Sequence, residues 1–222
     1  MGTADRIERD RLAKRTRILD AARELFVERG VEAVTLREIA QRIEYSTTAI
    51  YVQFKDKHDL IEQMIAEDFA AFAGALGACA KIVDPIERLR ELGRSYLEFA
   101  LAMPRHYQLL FLTPARPVHA HDEAIADSPA GIEGYSLLLA TVEECLRTKR
   151  LRPELGDAHA LAQVIWGSVH GIASLLIVKG AQVAFGWKPA AVLDALNYDL
   201  LIHGMLREPA PQPRRRRLAS RE

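Results

Sequence analysis

The sequence has few of the residues that mark an extracellular, membrane-bound or metal-binding protein. Only two of its 222 residues are cysteine, Cys79 and Cys145, and they are isolated, without the spacing of metal ligands. We find no apolar run that looks long and uncharged enough to span a bilayer. The charged N-terminus is not followed by the apolar core of a signal peptide. We therefore expect a reduced, cytoplasmic protein that does not associate with membranes.

Catalytic motifs are also missing. The chain shows no paired carboxylates, no Ser-His-Asp order, no glycine-rich phosphate loop and no two-histidine zinc motif. His119 and His121 lie beside two acidic residues and could bind a metal, but a solvated loop is the better interpretation. We expect no catalytic residues, no metal, no cofactor and no enzymatic activity. The alternative of a small helical enzyme, with His106 or His170 as a general base, lacks a second positioned catalytic group.

Neither sign of charge is in excess, because 30 Lys and Arg balance 30 Asp and Glu. The distribution is uneven: residues 1–60 are net +1, residues 61–206 are net −5 and residues 207–222 are net +4. Phosphate binding needs only a local basic surface, so a neutral total does not exclude a nucleic-acid partner. We expect residues 208–222 to be a disordered basic tail. Its arginines are either merely solvated or add non-specific attraction to DNA.

What the sequence does contain is a pair of short helical patterns within residues 35–54. Thr35 is a good N-cap, and Glu38 three positions later completes a capping box. Ser46 can cap the second helix. Outward positions of that helix carry short hydroxyl and amide side chains that suit base edges in a major groove, and nearby lysines could bind phosphates. An ordinary helical hairpin at the edge of a bundle would show the same corner.

The residues in this stretch resemble the TetR family of bacterial transcriptional regulators. The resemblance rests on TLREIA at 35–40, on Ser46 and on IYVQFKDK at 50–57, and it extends over about residues 15–60. It implies an all-α fold in which a three-helix DNA-binding domain is joined to a helical ligand-binding body. It also implies a partner, double-stranded DNA with a palindromic operator.

Three positions depart from the family pattern. Glu44 and Thr48 stand where glycine is usual, and Gln53 stands where histidine is usual. We expect Glu44 to adopt a left-handed conformation, at a cost of about 1 kcal/mol. Because the other two departures alter groove-facing chemistry, an operator cannot be transferred from relatives. The predicted DNA-binding residues are Thr35, Arg37, Tyr45, Thr47, Thr48, Tyr51, Val52, Gln53, Lys55 and Lys57.

The C-terminal part of the chain predicts a dimer. Residues 158–179 are apolar on nearly all sides, so a single subunit is not expected to cover them. Small residues at helical spacing in this segment would let another backbone approach closely. The last two long helices resemble the dimer-forming pair of TetR regulators, and residues 166–171 resemble the C-terminal type named for its Trp, His and Gly. The predicted interface residues are Gly167, Gly171, Ser174, Leu196 and Leu200.

A cavity in this body is the predicted site for a small-molecule effector. Trp166 and His170 are one helical turn apart on one face and could line it. A hydrogen-bonded core histidine beside a core tryptophan is the alternative. Neighbouring helices contribute the remaining predicted ligand-binding residues, which are Tyr96, His106, Tyr107 and Phe111.

These predictions combine into a domain plan and a function. Residues 11–57 form the helix-turn-helix domain, residues 58–207 the helical ligand-binding and dimerisation domain, and residues 208–222 the tail. The predicted protein is a homodimeric repressor that releases its operator when the effector shifts the population of dimer conformations. A constitutive DNA-binding repressor without a ligand is the alternative that the sequence leaves open.

Overall fold

The computed structural model describes residues 2–113, 129–180, 184 and 186–206. Within these ranges the chain is all-α, as predicted, and contains no β-strand. The predicted tail and the loop with His119 and His121 lie outside them. The helices are α1 (Thr3–Arg29), α2 (Leu36–Arg42), α3 (Thr47–Tyr51), α4 (Lys57–Gly77), α5 (Pro85–Ala102), α6 (Pro104–Tyr107), α7 (Pro129–Arg147), α8 (Ala158–Lys179) and α9 (Ala190–Met205), with a 3₁₀ turn at Ala78–Lys81 and a π-helical turn at Gln108–Leu112.

Local capping signals start the helices where the sequence predicted. Thr35 Oγ1 accepts a hydrogen bond from the backbone N–H of Glu38, whose carboxylate accepts one from the backbone N–H of Thr35 at 2.8 Å. This reciprocal pair satisfies two donors that would otherwise be unpaired at the start of α2. The side chains that cap α3, α4, α5 and α8 are Ser46, Asp56, Asp84 and Asp157.

The corner between α2 and α3 depends on an unusual backbone conformation. Glu44 has a φ of 58°, in the left-handed region, as its replacement of the usual glycine predicted. The chain then reverses direction, and the N–H of Tyr45 donates to the carbonyl of Ala40 at 2.9 Å. A glycine at position 44 would adopt this φ without the steric cost.

The first helix begins earlier than expected. The predicted DNA-binding domain begins at residue 11, but α1 starts at Thr3, and its residues 5–14 are solvent-exposed. Ion pairs within the helix stabilise this segment, including Arg11 Nη2 to Glu8 Oε1 at 2.8 Å. Basic side chains are therefore presented on a helix that extends beyond the core of the N-terminal domain.

One helix connects two hydrophobic cores. The N-terminal core is formed by α1, α2 and α3, and Leu60 and Met64 from the first turns of α4 complete it. Further along α4, Phe72 and Leu76 belong to the core of the C-terminal body, where they pack with α5 and the π-helical turn. Helix α4 is therefore part of both the helix-turn-helix core and the core of the body.

Helix α8 is long and apolar enough, by length and composition alone, to cross a membrane, so the expectation that no such run exists was wrong. The mean hydropathy of its most apolar 18-residue window is 1.7. The polar residues His159, Gln163 and His170 interrupt the run without adding formal charge. Helix α8 packs against α5, α7 and α9, but only 22% of its most apolar 18-residue segment is buried.

Candidate DNA-binding surface and ligand cavity

One side of helix α3 is buried in the N-terminal core, and the opposite side is exposed to solvent. Ile50 and Phe54 are buried in the N-terminal core and fix the orientation of the helix. On the opposite side, Tyr51 is 56% exposed and Val52 is 76% exposed, and Thr48 is exposed as well. Thr47 and Gln53 are half-buried at the ends of this surface. The predicted groove-facing residues therefore share one accessible face.

A basic residue of α1 joins this surface, and the sequence prediction did not include it. Arg17 Nη1 donates to the Tyr45 hydroxyl at 3.2 Å, and its guanidinium carbon lies 5.2 Å from the centre of the Tyr45 ring. The stacked guanidinium holds the ring in place while keeping a positive charge beside the predicted DNA surface. The only sequence signal was the cluster of basic residues at the start of the chain.

Two lysines that were predicted to bind phosphates occupy different environments. Lys55 is exposed. Lys57 is half-buried, and its Nζ donates to the backbone carbonyl of Val31 at 2.6 Å, 5.9 Å from the ring centre of Phe26. That contact ties the start of α4 to the turn after α1. The ammonium of Lys57 thus has a partner within the domain, and its predicted phosphate contact stays a prediction.

Thr35 and Arg37 flank the start of α2. Thr35 uses its hydroxyl in the capping box, and both residues are exposed. Glu38 of the same capping box also accepts a hydrogen bond from Arg29 Nη2 at 2.8 Å. Hydrogen bonds from Thr35, followed by the one from Arg29, lower the pKa of Glu38 to about 2.

The C-terminal body contains a partly open cavity of about 180 Å³ between α4, α5, α7 and α8. Its walls are apolar and unusually rich in aromatic rings, and the π-helical turn closes one side. The described lining residues are Phe69, Phe72, Leu76, Leu89, Leu92, Gly93, Tyr96, Phe111, Gly134, Tyr135, Leu138, Ile165, Trp166 and Val169.

A chain of hydrogen bonds lies along one wall of the cavity. Trp166 Nε1 donates to the Tyr96 hydroxyl at 3.2 Å, and Tyr96 donates to the Tyr107 hydroxyl at 3.2 Å. The Tyr107 hydroxyl lies 2.7 Å from His170 Nδ1. Burial raises the pKa of both tyrosines and lowers the pKa of His170. All four groups are therefore neutral at physiological pH.

The structure separates the six predicted ligand-binding residues into three groups. Tyr96, Phe111 and Trp166 line the cavity. Tyr107 and His170 stand behind Tyr96 as its hydrogen-bond partners. His106 does not line the cavity, although it precedes Tyr107 directly. Neighbouring residues of a helix are separated by about 100° of rotation, so the side chain of His106 does not follow that of Tyr107 towards Tyr96.

His106 instead belongs to a charged cluster between the two domains. Arg23 in α1 donates from Nη2 to Asp68 Oδ1 in α4 at 2.7 Å, and both residues are buried. His106 Nε2 lies 3.8 Å from the same oxygen. Burial raises the pKa of Asp68, which the hydrogen bonds from Arg23 oppose, and burial lowers the pKa of His106. Close by, Arg105 donates to Glu24 of α1 at 2.7 Å.

An apolar face on α8 and α9 is left uncovered by the part of the subunit that the structure describes. Leu196 is 53% exposed and Leu200 is 66% exposed. A Cβ atom added to Gly167 or Gly171 would meet nothing within 4 Å. The predicted interface residue Ser174 donates its hydroxyl to the carbonyl of Gly171 at 3.1 Å, so its polar atom is satisfied inside the helix. The glycines thus leave open space on the outer side of α8.

Two protein-family models match the chain. The model described as "Bacterial regulatory proteins, tetR family" matches residues 18–64. The model described as "Tetracyclin repressor-like, C-terminal domain" matches residues 89–200, which is half of the chain and includes Trp166, His170 and Gly171.

Individual proteins give the same picture. The HTH-type transcriptional regulator AcrR of Shigella flexneri is 28% identical over 172 residues, which cover 71% of this chain and 75% of AcrR. The solved structure of the putative regulatory protein SCO4313 is 27% identical with a TM-score of 0.67, over 88% of this chain and 98% of that one. FadR of Bacillus subtilis in complex with stearoyl-CoA shares the fold at 17% identity, with a TM-score of 0.68 over 85% and 98% of the two chains.

Proposed function

The chain belongs to the TetR family of bacterial transcriptional regulators, and on this premise we propose that it is a homodimeric repressor whose palindromic operator is released when a small molecule fills the cavity. The family's members are DNA-binding regulators and not enzymes. We place the protein in the cytoplasm and assign residues 11–57 to DNA binding and residues 58–207 to effector binding and dimerisation.

The exposed side of α3 supports the assignment of DNA contacts. Thr47 and Thr48 stand at the N-terminal end of the recognition helix, where side chains come closest to base edges. Tyr51 and Lys55 lie where they would meet phosphates. Arg17, stacked on Tyr45, adds a further phosphate contact to those predicted from the motif.

The uncovered face of α8 and α9 supports a dimer. Large apolar side chains and open glycine positions lie on adjoining helices, and a second copy would bury both. A two-fold axis through this face would relate two identical DNA-binding domains, and that symmetry requires a palindromic operator.

Ligand control rests on one observation, the position of the segment Pro104–Leu112. At its beginning, Arg105 forms an ion pair with Glu24 of the DNA-binding domain. At its end, Phe111 forms part of the cavity wall. A ligand that displaces Phe111 would move this segment and change the angle of α1. The ligand would then favour a dimer in which the distance between the two DNA-binding domains does not match successive major grooves.

Selection from random duplex DNA with the full-length protein tests the DNA half of this proposal. We expect an enriched palindrome whose half-sites are centred about one helical turn apart. Enrichment of a single unpaired half-site, or of no sequence, would rule out the dimeric operator complex. Fluorescence anisotropy on the selected operator then tests release by small molecules, and a constitutive repressor would show no response to any cavity ligand.

A further inference from the structure

We propose that the effector is an uncharged aromatic compound of one or two fused rings. This inference rests on the proposed function, since it names the chemical class of the ligand that the same cavity accepts. Three properties of the cavity carry it: the absence of charge in its described lining, the internal use of its polar hydrogens, and its small volume.

The first property is charge. Among the described lining residues there is no Lys, Arg, His, Asp or Glu. An ion taken from water into such a site would lose its hydration without gaining a charged partner, which is strongly unfavourable. One carboxyl group lies beside the wall, because a Cβ added to Gly93 would be 3.9 Å from Asp194 Oδ1. Asp194 does not line the cavity itself.

The second property is the supply of hydrogen-bond donors. The indole N–H of Trp166 is used by Tyr96, and the hydroxyl proton of Tyr96 is used by Tyr107. The Tyr107 hydroxyl has both Nδ1 and the backbone carbonyl of His170 within 3.4 Å, so its proton has an acceptor in either tautomer of His170. These three donors are therefore not free to stabilise a carboxylate or a phosphate. Tyr96 retains capacity as an acceptor for at most a single ligand hydroxyl or N–H.

The third property is size and shape. Cavities that bind drug-sized ligands measure about 300–1,000 Å³, whereas an apolar cavity of about 150 Å³ holds benzene. At about 180 Å³, this cavity accommodates a small ring system and not a long acyl chain or a large polycyclic drug. Its rings meet edge to face, as Phe72 does with Tyr96 at an interplanar angle of 86°. A flat aromatic ligand can extend this packing.

Calorimetric titration of the full-length protein with three matched probes tests the charge preference. The probes share the naphthalene skeleton: neutral 2-naphthol, anionic 2-naphthoate and a cationic naphthylmethyl-trimethylammonium. We expect 2-naphthol to bind about tenfold or more tightly than either ion, because only it enters without losing ionic hydration. Palmitate serves as a long-chain comparator and is expected to bind more weakly than 2-naphthol.

A pair of glycine substitutions locates the binding. A Cβ on Gly134 would lie 3.0 Å from Phe72 Cε1 and 3.4 Å from Leu76 Cδ1, two atoms of the cavity wall, whereas a Cβ on Gly74 would meet nothing within 4 Å. Gly134→Val should weaken 2-naphthol binding about tenfold or more, and Gly134→Ala by a smaller factor, because both reduce the free volume. Gly74→Val and Gly74→Ala are matched helical controls that should leave affinity unchanged. Circular dichroism verifies that each variant is folded.

The outcomes separate this inference from the proposed function. Equal or tighter binding of either ion or of palmitate overturns the neutral aromatic class, and so does a failure of 2-naphthol to bind. Loss of affinity in the Gly74 variants, with none in the Gly134 variants, would place the site elsewhere. If 2-naphthol binds as expected but the operator affinity does not change, the ligand class stands and the proposed release mechanism fails.

Discussion

Arg23 and Asp68 form a buried ion pair that joins the DNA-binding domain to the body of the protein. The guanidinium in α1 donates from Nε at 3.0 Å and from Nη2 at 2.7 Å to a single carboxylate oxygen in α4. Because α4 carries core residues of both domains, this pair links α1 to the helix that the two domains share. His106 and Arg105 from α6 meet the same region, where the proposed effector signal would reach α1.

Replacing one partner of the pair should destabilise the fold. Asp68→Asn removes the negative charge that compensates buried Arg23, and we expect the free energy of unfolding to fall by about 3–5 kcal/mol. Urea denaturation followed by circular dichroism measures the change. Asp20→Asn is the matched control: Asp20 also contacts Arg23, but its side chain is 60% exposed, so we expect less than about 1 kcal/mol. Equal effects of the two substitutions would contradict the structural role of Asp68.

The capping box of α2 should give the DNA-binding domain an acid-sensitive contribution. The folded pKa of Glu38 is about 2, below its ordinary value of 4.5. A lowered folded pKa means that the stabilisation is fully present above pH 4.5 and is lost as the pH falls towards 2. We expect Glu38→Gln to flatten the pH dependence of stability in that window. An NMR titration that places the Glu38 pKa near 4.5 would refute the contact.

The hydroxyl of Tyr51 should contribute to operator affinity without contributing to base choice. Tyr51→Phe removes the expected hydrogen bond to a phosphate, and such a bond to a charged group is worth about 1.5–3 kcal/mol. Anisotropy titrations against the selected operator and its single-base variants should show a uniform loss. Unchanged affinity would exclude the phosphate contact, and a loss confined to some variants would mean that Tyr51 reads bases.

The small residues Gly167, Gly171 and Ser174 form a stripe on α8 that should control dimer formation. Gly171→Leu adds bulk where the subunit itself offers open space, so the monomer fold should tolerate it. Across a two-fold interface the added side chain occurs twice, at a cost of about 1–3 kcal/mol per chain. We expect sedimentation velocity to show monomers and the operator affinity to fall. Gly74→Leu, equally open but on α4, should remain dimeric. A dimeric Gly171→Leu protein would move the interface away from this stripe.

Local signals explain why much of the fold could be predicted. Thr35, Ser46 and Asp157 cap helices through bonds to residues three positions away, and the positive φ of Glu44 follows from the glycine it replaces. The cavity was harder to predict. Its aromatic residues from α5, α8 and the π-helical turn were predicted, but Phe69, Phe72 and Tyr135 were missed because the apolar faces of α4 and α7 are typical of an ordinary core.

Contacts distant in sequence could not be predicted from any local pattern. Arg23 and Asp68 are 45 positions apart, and a charged residue inside an amphipathic helix normally indicates a solvated face. Lys57 shows the same limit: its motif predicts a phosphate contact, whereas its ammonium is bonded to the Val31 carbonyl. Such pairings depend on how the helices pack against one another, and the sequence pattern of a single helix does not determine its packing partners.

The central claim is that filling the cavity changes the affinity for DNA. It is tested most directly by fluorescence anisotropy of the selected operator with the full-length dimer, with and without saturating amounts of each probe that calorimetry shows to bind. The account predicts that an occupied cavity weakens operator binding about tenfold, within the usual range of allosteric coupling. It also predicts that Arg105→Ala, which removes the ion pair to Glu24, reduces this effect without preventing ligand binding. Identical operator affinity with an empty and a fully occupied cavity would contradict the account.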